Sequence, residues 1–115
     1  MSNEKGIKSS LIFQDYIVDY VEFKTNDQFI EQSIDVDFKV DRTIEYDSKD
    51  DGIVYVSLHI KVFDNPVENN YPFSLKLILT GTFEIQEDDE EKREYFAKYN
   101  AVAILFPYAR SLITN

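Results

Sequence analysis

The residues able to do chemistry are few, and their spacing argues against a catalytic centre. One histidine, His59, stands in an alternating apolar stretch. A metal site takes several ligands, so a lone mid-strand histidine reads as a surface or interface residue. Asp35, Asp37 and Asp41 share one side of an extended chain and mimic a carboxylate site. Acid–base work needs two groups whose environments split their pKa values, and these neighbours are those of a solvated sheet face. The acidic run over residues 87–91 has carboxylates for weak calcium binding but lacks the EF-hand spacing. It suits the start of a helix, where the backbone dipole favours negative charge. Three dispersed glycines build neither a phosphate loop nor a nucleophile elbow. No catalytic residue, metal or cofactor is expected, and an enzyme is the least expected class.

What the composition favours is binding. Twelve Lys and Arg against 22 Asp and Glu give a formal charge of −10, which repels nucleic acid and anionic lipid. Nine Phe and eight Tyr in 115 residues supply large apolar areas of the kind that anchor interfaces. There is no cysteine, hence no disulfide framework and no thiolate zinc site. No apolar run has the length of a membrane span, and residues 1–10 are polar, unlike a signal peptide. The expected compartment is the cytoplasm. The expected organisation is a flexible tail over residues 1–10 and one domain over residues 11–115.

The elements that must position the aromatics follow from periodicity. Residues 11–24 read as a long strand with apolar groups of both parities. Leu11, Phe13, Ile17, Val21 and Phe23 share one parity; Ile12, Tyr16, Val18 and Tyr20 share the other. Either both faces are covered in part or a bulge shifts the register. Phe29 and Ile30 stand in the following connection, too apolar for a plain loop, either folded onto the core or forming a flap over a groove. Residues 33–46 alternate, with Ile34, Val36, Phe38, Val40, Ile44 and Tyr46 on one side. Asp51-Gly52 signals a hairpin into a third strand over residues 53–63, with Val54, Val56, Leu58, Ile60 and Val62 inward. Residues 64–72 form a loop and residues 73–86 a fourth strand. In that strand Gly81 gives room for a bulge or for a closely packed helix.

Residues 100–114 are the one apolar stretch of helical period. Ala101, Ile104, Leu105, Tyr108 and Leu112 share a face, and Val102, Ala103, Phe106, Ala109 and Ile113 cover much of the rest. A helix apolar nearly all round buries one side on its own sheet and offers another to a partner. Pro107 makes it kink there or begin there. The fold class is α+β: a four-stranded antiparallel sheet followed by a long helix packed on one face.

The run Ile104-Leu105-Phe106-Pro107-Tyr108-Ala109-Arg110, followed by Leu112-Ile113-Thr114, resembles the first long helix of the SecB family of export chaperones. Val21 and Phe23, Gly81 and Phe83, and Tyr99 also stand where that family has matching residues. The resemblance covers most of residues 11–114 and favours a helix continuous through Pro107. It implies an ATP-independent chaperone that binds unfolded preproteins, assembled as a homotetramer (a dimer of dimers). First strands pair across protomers and long helices pack between them, which assigns Tyr16, Val18, Tyr20, Ile104, Phe106, Tyr108 and Ile113 to the oligomer interface. Client-binding candidates are Phe29, Ile30, Phe38, Val40, Tyr95, Phe96 and Tyr99.

Two departures qualify the match. The family continues past the counterpart of Asn115 into a second helix bordering the client groove. Where it carries acidic residues for docking to the SecA motor, this chain has Tyr20, Lys24 and Lys76. Delivery to SecA is thus a weaker implication than chaperoning. The alternatives are a SecB-like chaperone dedicated to one partner, such as an antitoxin, and an oligomeric scaffold that has lost client binding.

Overall fold

The computed structural model describes residues 11–114; the expected tail over residues 1–10 lies outside them. Four strands, β1 (Leu11–Thr25), β2 (Phe38–Tyr46), β3 (Ile53–Val62) and β4 (Phe73–Ile85), form one antiparallel sheet in the order β1-β4-β3-β2. A one-turn helix, α1 (Pro66–Asn69), lies within the β3–β4 connection, where the sequence suggested only loop. After β4 come α2 (Glu90–Tyr95), a π turn (Phe96–Asn100) and α3 (Ala101–Thr114). The carboxylates of Glu90 and Glu91 stand in the first turn of α2, as the dipole argument expects.

The two-faced apolar pattern of β1 resolves as two bulges. The pairing with β4 skips between Phe13 and Asp15 and again between Val18 and Tyr20, leaving Gln14 and Asp19 as extra residues. Each extra residue reverses the alternation. Leu11, Phe13, Tyr16, Val18, Val21 and Phe23 therefore pair with the odd-numbered β4 residues 85, 83, 81, 79, 77 and 75 on the face toward the helix. Ile17 departs from the strict-parity expectation and joins Ile12 and Tyr20 on the outer face.

β2 begins at Phe38 rather than at residue 33. Its partner β3 ends at Val62, and Phe63 turns away with φ 56°, so the ladder has nothing further to pair with. One bond, Phe63 N–H to the Asp37 carbonyl at 2.8 Å, holds the end of the preceding segment. The Asp51-Gly52 hairpin forms as expected. The Asp47 carboxylate accepts from the N–H groups of Lys49 and Asp50 at 3.1 Å each and from the Tyr55 hydroxyl at 2.7 Å.

The core lies between sheet and helix. Val54, Val56, Leu58, Ile60, Leu77, Leu79 and Phe83 contribute the sheet side and Ala97, Ala101, Leu105 and Ala109 the helix side, all buried. Each large side chain so buried stabilises the fold by about 1.5–3 kcal/mol. The buried helix stripe differs from the expected face: Leu112 is exposed, and Ala97 and Ala109 take the places next to the sheet. Alanines permit close approach, and Gly81 completes it. A Cβ on Gly81 would stand 2.5 Å from Leu105 Cδ2 and 2.9 Å from Phe83 Cε1, so Leu105 occupies the space a side chain would take.

α3 runs through Pro107 without interruption. Pro107 and Ala103, whose carbonyl loses its usual donor, both lie on the exposed side. In the π turn, the Ala101 N–H bonds to the Phe96 carbonyl five residues back. That wider turn helps to keep Ala97 and Ala101 on one stripe with Leu105 and Ala109.

Candidate functional site

α3 covers only part of the inner face. Along β2, the face toward the helix carries Phe38, Val40, Arg42, Ile44 and Tyr46, paired in register with the inward residues of β3. Phe38 and Val40 nevertheless remain 44% and 41% exposed, so the helix leaves this edge of the core open. The opening is a groove of about 420 Å³ lined by Val36, Phe38, Val62, Phe106, Arg110 and Ile113. The Phe106 ring meets Phe38 edge-on, with centroids 6.1 Å apart. The walls are aliphatic and aromatic, with one guanidinium among them.

Further along β2 the same seam is closed by cation–π contacts. Arg42 lies 5.4 Å from the Tyr99 ring centroid and Arg93 5.5 Å from that of Tyr46. Arg93 also donates to the Asp51 carbonyl in the β2–β3 hairpin and stands 3.9 Å from the Asp51 carboxylate. These contacts hold α2 and the π turn to the β2 edge, while the Phe38 end stays accessible.

The client-binding candidates fall in three places. Phe38 lines the groove, and Val40 is the next inward-facing residue along β2. The rings of Tyr95 and Tyr99 pack at a tilt with centroids 4.9 Å apart and are more than half exposed, whereas Phe96 packs against the core. Phe29 and Ile30 are not among the groove-lining residues. Ile30 is 73% exposed, and its backbone is held by the Asn70 side chain, which accepts from the Ile30 N–H at 2.9 Å and donates to its carbonyl at 3.1 Å. Buried Asn26 anchors the same connection by donating to the carbonyls of Pro66 at 3.1 Å and Tyr71 at 2.8 Å. These bonds tie the start of the β1–β2 connection to the α1 turn.

The interface candidates also divide. Phe106 and Ile113 line the groove of their own chain. The Tyr108 ring packs, tilted, against those of Tyr16 and Phe13, with centroids 4.7 and 5.5 Å apart, while Ile104 packs partly against the core. Val18 and Tyr20 are exposed on opposite faces of β1. Sequence reasoning missed Val36, Val62 and Arg110 as groove walls. The available signal was the spacing of Phe106, Arg110 and Ile113 by four and three residues, facing a strand whose apolar side begins at Val36.

The Asp47–Tyr55 pair in the β2–β3 hairpin shifts both of its titratable groups. The Tyr55 hydroxyl, followed by the hairpin N–H of Lys49, holds the Asp47 carboxyl below the usual carboxylate range. The same bond holds the Tyr55 phenol above its ordinary value. His59 lies on the outer face opposite Asp41, its Nε2 3.4 Å from Thr43 Oγ1. Among the described residues, no group of three or more His, Cys, Asp or Glu is placed to hold a metal ion, and no helix is long and apolar enough to cross a membrane.

The comparisons with known proteins agree with this architecture. The family model described as preprotein translocase subunit SecB matches residues 8–115. An uncharacterized protein of Methanocaldococcus jannaschii is 32% identical over 109 residues, covering 94% of this chain and 70% of that protein. Among solved structures, the SecB-like chaperone of Mycobacterium tuberculosis in complex with a ChAD peptide from the HigA1 antitoxin superposes with a TM-score of 0.69. The match is 13% identical and covers 90% of this chain and 78% of that one. The four-stranded antiparallel sheet with its carboxy-terminal helix is thus the fold of that chaperone, and the extent of the family match and of the archaeal relationship shows that the chain belongs to the SecB family.

Proposed function

We propose that this protein is a nucleotide-independent chaperone that holds extended, unfolded segments of other polypeptides in the groove between β2 and α3. The observation that carries the reading is the open apolar groove itself, lined by Val36, Phe38, Val62, Phe106, Arg110 and Ile113. Unfolded chains expose apolar side chains, and aliphatic and aromatic walls capture them without demanding one sequence. The charge of −10 keeps such exposed surfaces from clustering with one another.

The edge strand β1 supports the same reading. β1 is a 15-residue edge strand, and α3 leaves Val18, Val21 and Phe23 exposed on its inner face. A long edge with apolar residues invites pairing with a second copy. Several grooves on one oligomer would hold a long client through weak contacts at once. A homotetramer built from β1 pairing and from the outer side of α3 is the assembly we propose. Sedimentation velocity measures its mass directly.

A second reading, a chaperone dedicated to one partner, is favoured by the solved relative that holds an antitoxin peptide. The experiment that sorts them is a titration into an unrelated, aggregation-prone client during refolding, followed by light scattering without nucleotide. Suppression near one oligomer per client supports the general chaperone. An intact oligomer without suppression moves the assignment to a dedicated partner.

A further inference from the structure

The outer face of the sheet, opposite the helix, carries a feature at odds with the chain's charge. In register, Lys76 of β4 lies beside Lys61 of β3, and Lys61 lies beside Lys39 of β2. With strands about 4.8 Å apart, the three side chains leave the sheet within about 10 Å of one another. Like charges directly opposite each other destabilise a sheet, and the chain has 22 acidic residues from which to supply counter-charges. Yet the ion pairs among the described residues are Lys24 with Glu22, Arg93 with Asp51 and Lys98 with Glu94; none involves the row. Glu22, opposite Lys76 in register, is instead engaged by the Tyr20 hydroxyl at 2.8 Å and by Lys24 at 4.0 Å. Asp41, in the adjacent row, accepts the Arg42 N–H at 2.8 Å.

An apolar patch adjoins the row. Tyr20 pairs with Ile78 one step along the strands from the Glu22–Lys76 pair, and Ile17 follows it on the same face. Ile17 and Tyr20 are both exposed. A row of cations that enters none of these ion pairs, with an apolar flank, is complementary to a segment carrying carboxylates and an apolar side chain. We infer that the row Lys39–Lys61–Lys76, with Tyr20 and Ile17 at its side, docks an acidic segment of a protein partner, at a surface separate from the groove on the opposite face. Nucleic acid fits less well: it carries a higher charge density than a peptide toward a chain of net charge −10 and offers no aliphatic side chain to Ile17.

The test uses two fluorescein-labelled twelve-residue peptides, one alternating Glu with Leu and one alternating Lys with Leu, read by fluorescence anisotropy on the intact protein. The Glu peptide should bind. Its affinity should fall about tenfold in the triple variant Lys39→Gln, Lys61→Gln, Lys76→Gln and about tenfold between low and physiological salt. The part of the affinity that the triple variant loses should persist in the groove variant Phe106→Ser, whatever the groove adds through the Leu side chains, and Lys61→Arg should retain it. The triple variant should melt at or above the wild-type temperature, since it removes repulsion. Absence of Glu-peptide binding, equal binding to the triple variant, or loss only in Phe106→Ser overturns the inference. So does displacement by a single-stranded oligonucleotide. A change in sedimentation mass in the triple variant also overturns it, by placing a second copy on the row. Holding of unfolded clients is read separately by light scattering, so either conclusion can fail without the other.

Discussion

Gly81→Ala tests how the helix is seated on the sheet. The added Cβ would stand 2.5 and 3.1 Å from the two methyl groups of Leu105 and 2.9 Å from Phe83 Cε1. Carbon atoms rest about 3.5–4.0 Å apart, so the Leu105 methyl must retreat by roughly 1 Å. Leu105 and Phe83 are both fully buried, so neither can swing into solvent. Overpacking of this kind costs about 1–3 kcal/mol. The loss of glycine's freedom in the unfolded chain offsets about 0.4–1 kcal/mol, leaving a net loss of about 1–2 kcal/mol. With a urea dependence of about 1–3 kcal/mol per molar, the unfolding midpoint should fall by about 0.5–1 M at fixed protein concentration. Leu105→Ala alone should cost about 2–5 kcal/mol by leaving a cavity. The double variant should lose about 1–2 kcal/mol less than the sum, because the new methyl then fills the space it formerly invaded. Strict additivity, or a stabilising Gly81→Ala, would refute the seating of Leu105 in the Gly81 notch.

Further outcomes follow from named contacts. Asn26→Ala removes donors from the Pro66 and Tyr71 carbonyls and should cost about 1–3 kcal/mol in urea unfolding, with faster amide exchange at Ile30. Asp47 has a depressed folded pKa, so its contribution to stability is full above the ordinary carboxylate value and is lost as pH falls through the depressed one. Tyr55 has a raised pKa, so its contribution is full below the ordinary phenol value and is lost as pH rises through the raised one. Carboxyl NMR titration should find Asp47 below the ordinary carboxylate value, and Tyr55→Phe should raise it toward that value. Phe106→Ser should weaken suppression of client aggregation about tenfold or more, as truncation of a buried aromatic anchor does, while leaving the Glu–Leu peptide on the outer face.

The alternation of β3 and β4 was legible because both strands are paired on both sides, so one residue in two is buried along β3 and along β4 from Leu77 to Ile85. Gly81 was legible for a related reason: a glycine on the inward parity of a central strand has little use except close approach. β1 was ambiguous because a bulge changes parity without changing residue type. Nothing in residues 11–24 marks Gln14 and Asp19 as the extra residues. The limit of β2 was hidden because Ser33 to Asp37 continue its alternation, and what ends the ladder is the turn at Phe63 in another strand. The groove was half legible. Phe38 and Val40 were candidates for client binding; Phe106 and Ile113 were assigned to a subunit contact by the family resemblance, since a helix period shows which side chains share a face and not what that face meets. Phe29 and Ile30 were client-binding candidates by their apolar character, and the hydrogen bonds of Asn26 and Asn70, which no apolar pattern reveals, fix where the backbone of that connection goes.

The most direct test of the central claim places a photo-crosslinking amino acid at position 38, in the groove, or at position 20, on the outer face, and irradiates each during refolding of an unrelated apolar client without nucleotide. Client adducts are expected from position 38 and few from position 20. Equal adducts from both, or adducts confined to position 20, would contradict the assignment of client binding to the groove between β2 and α3.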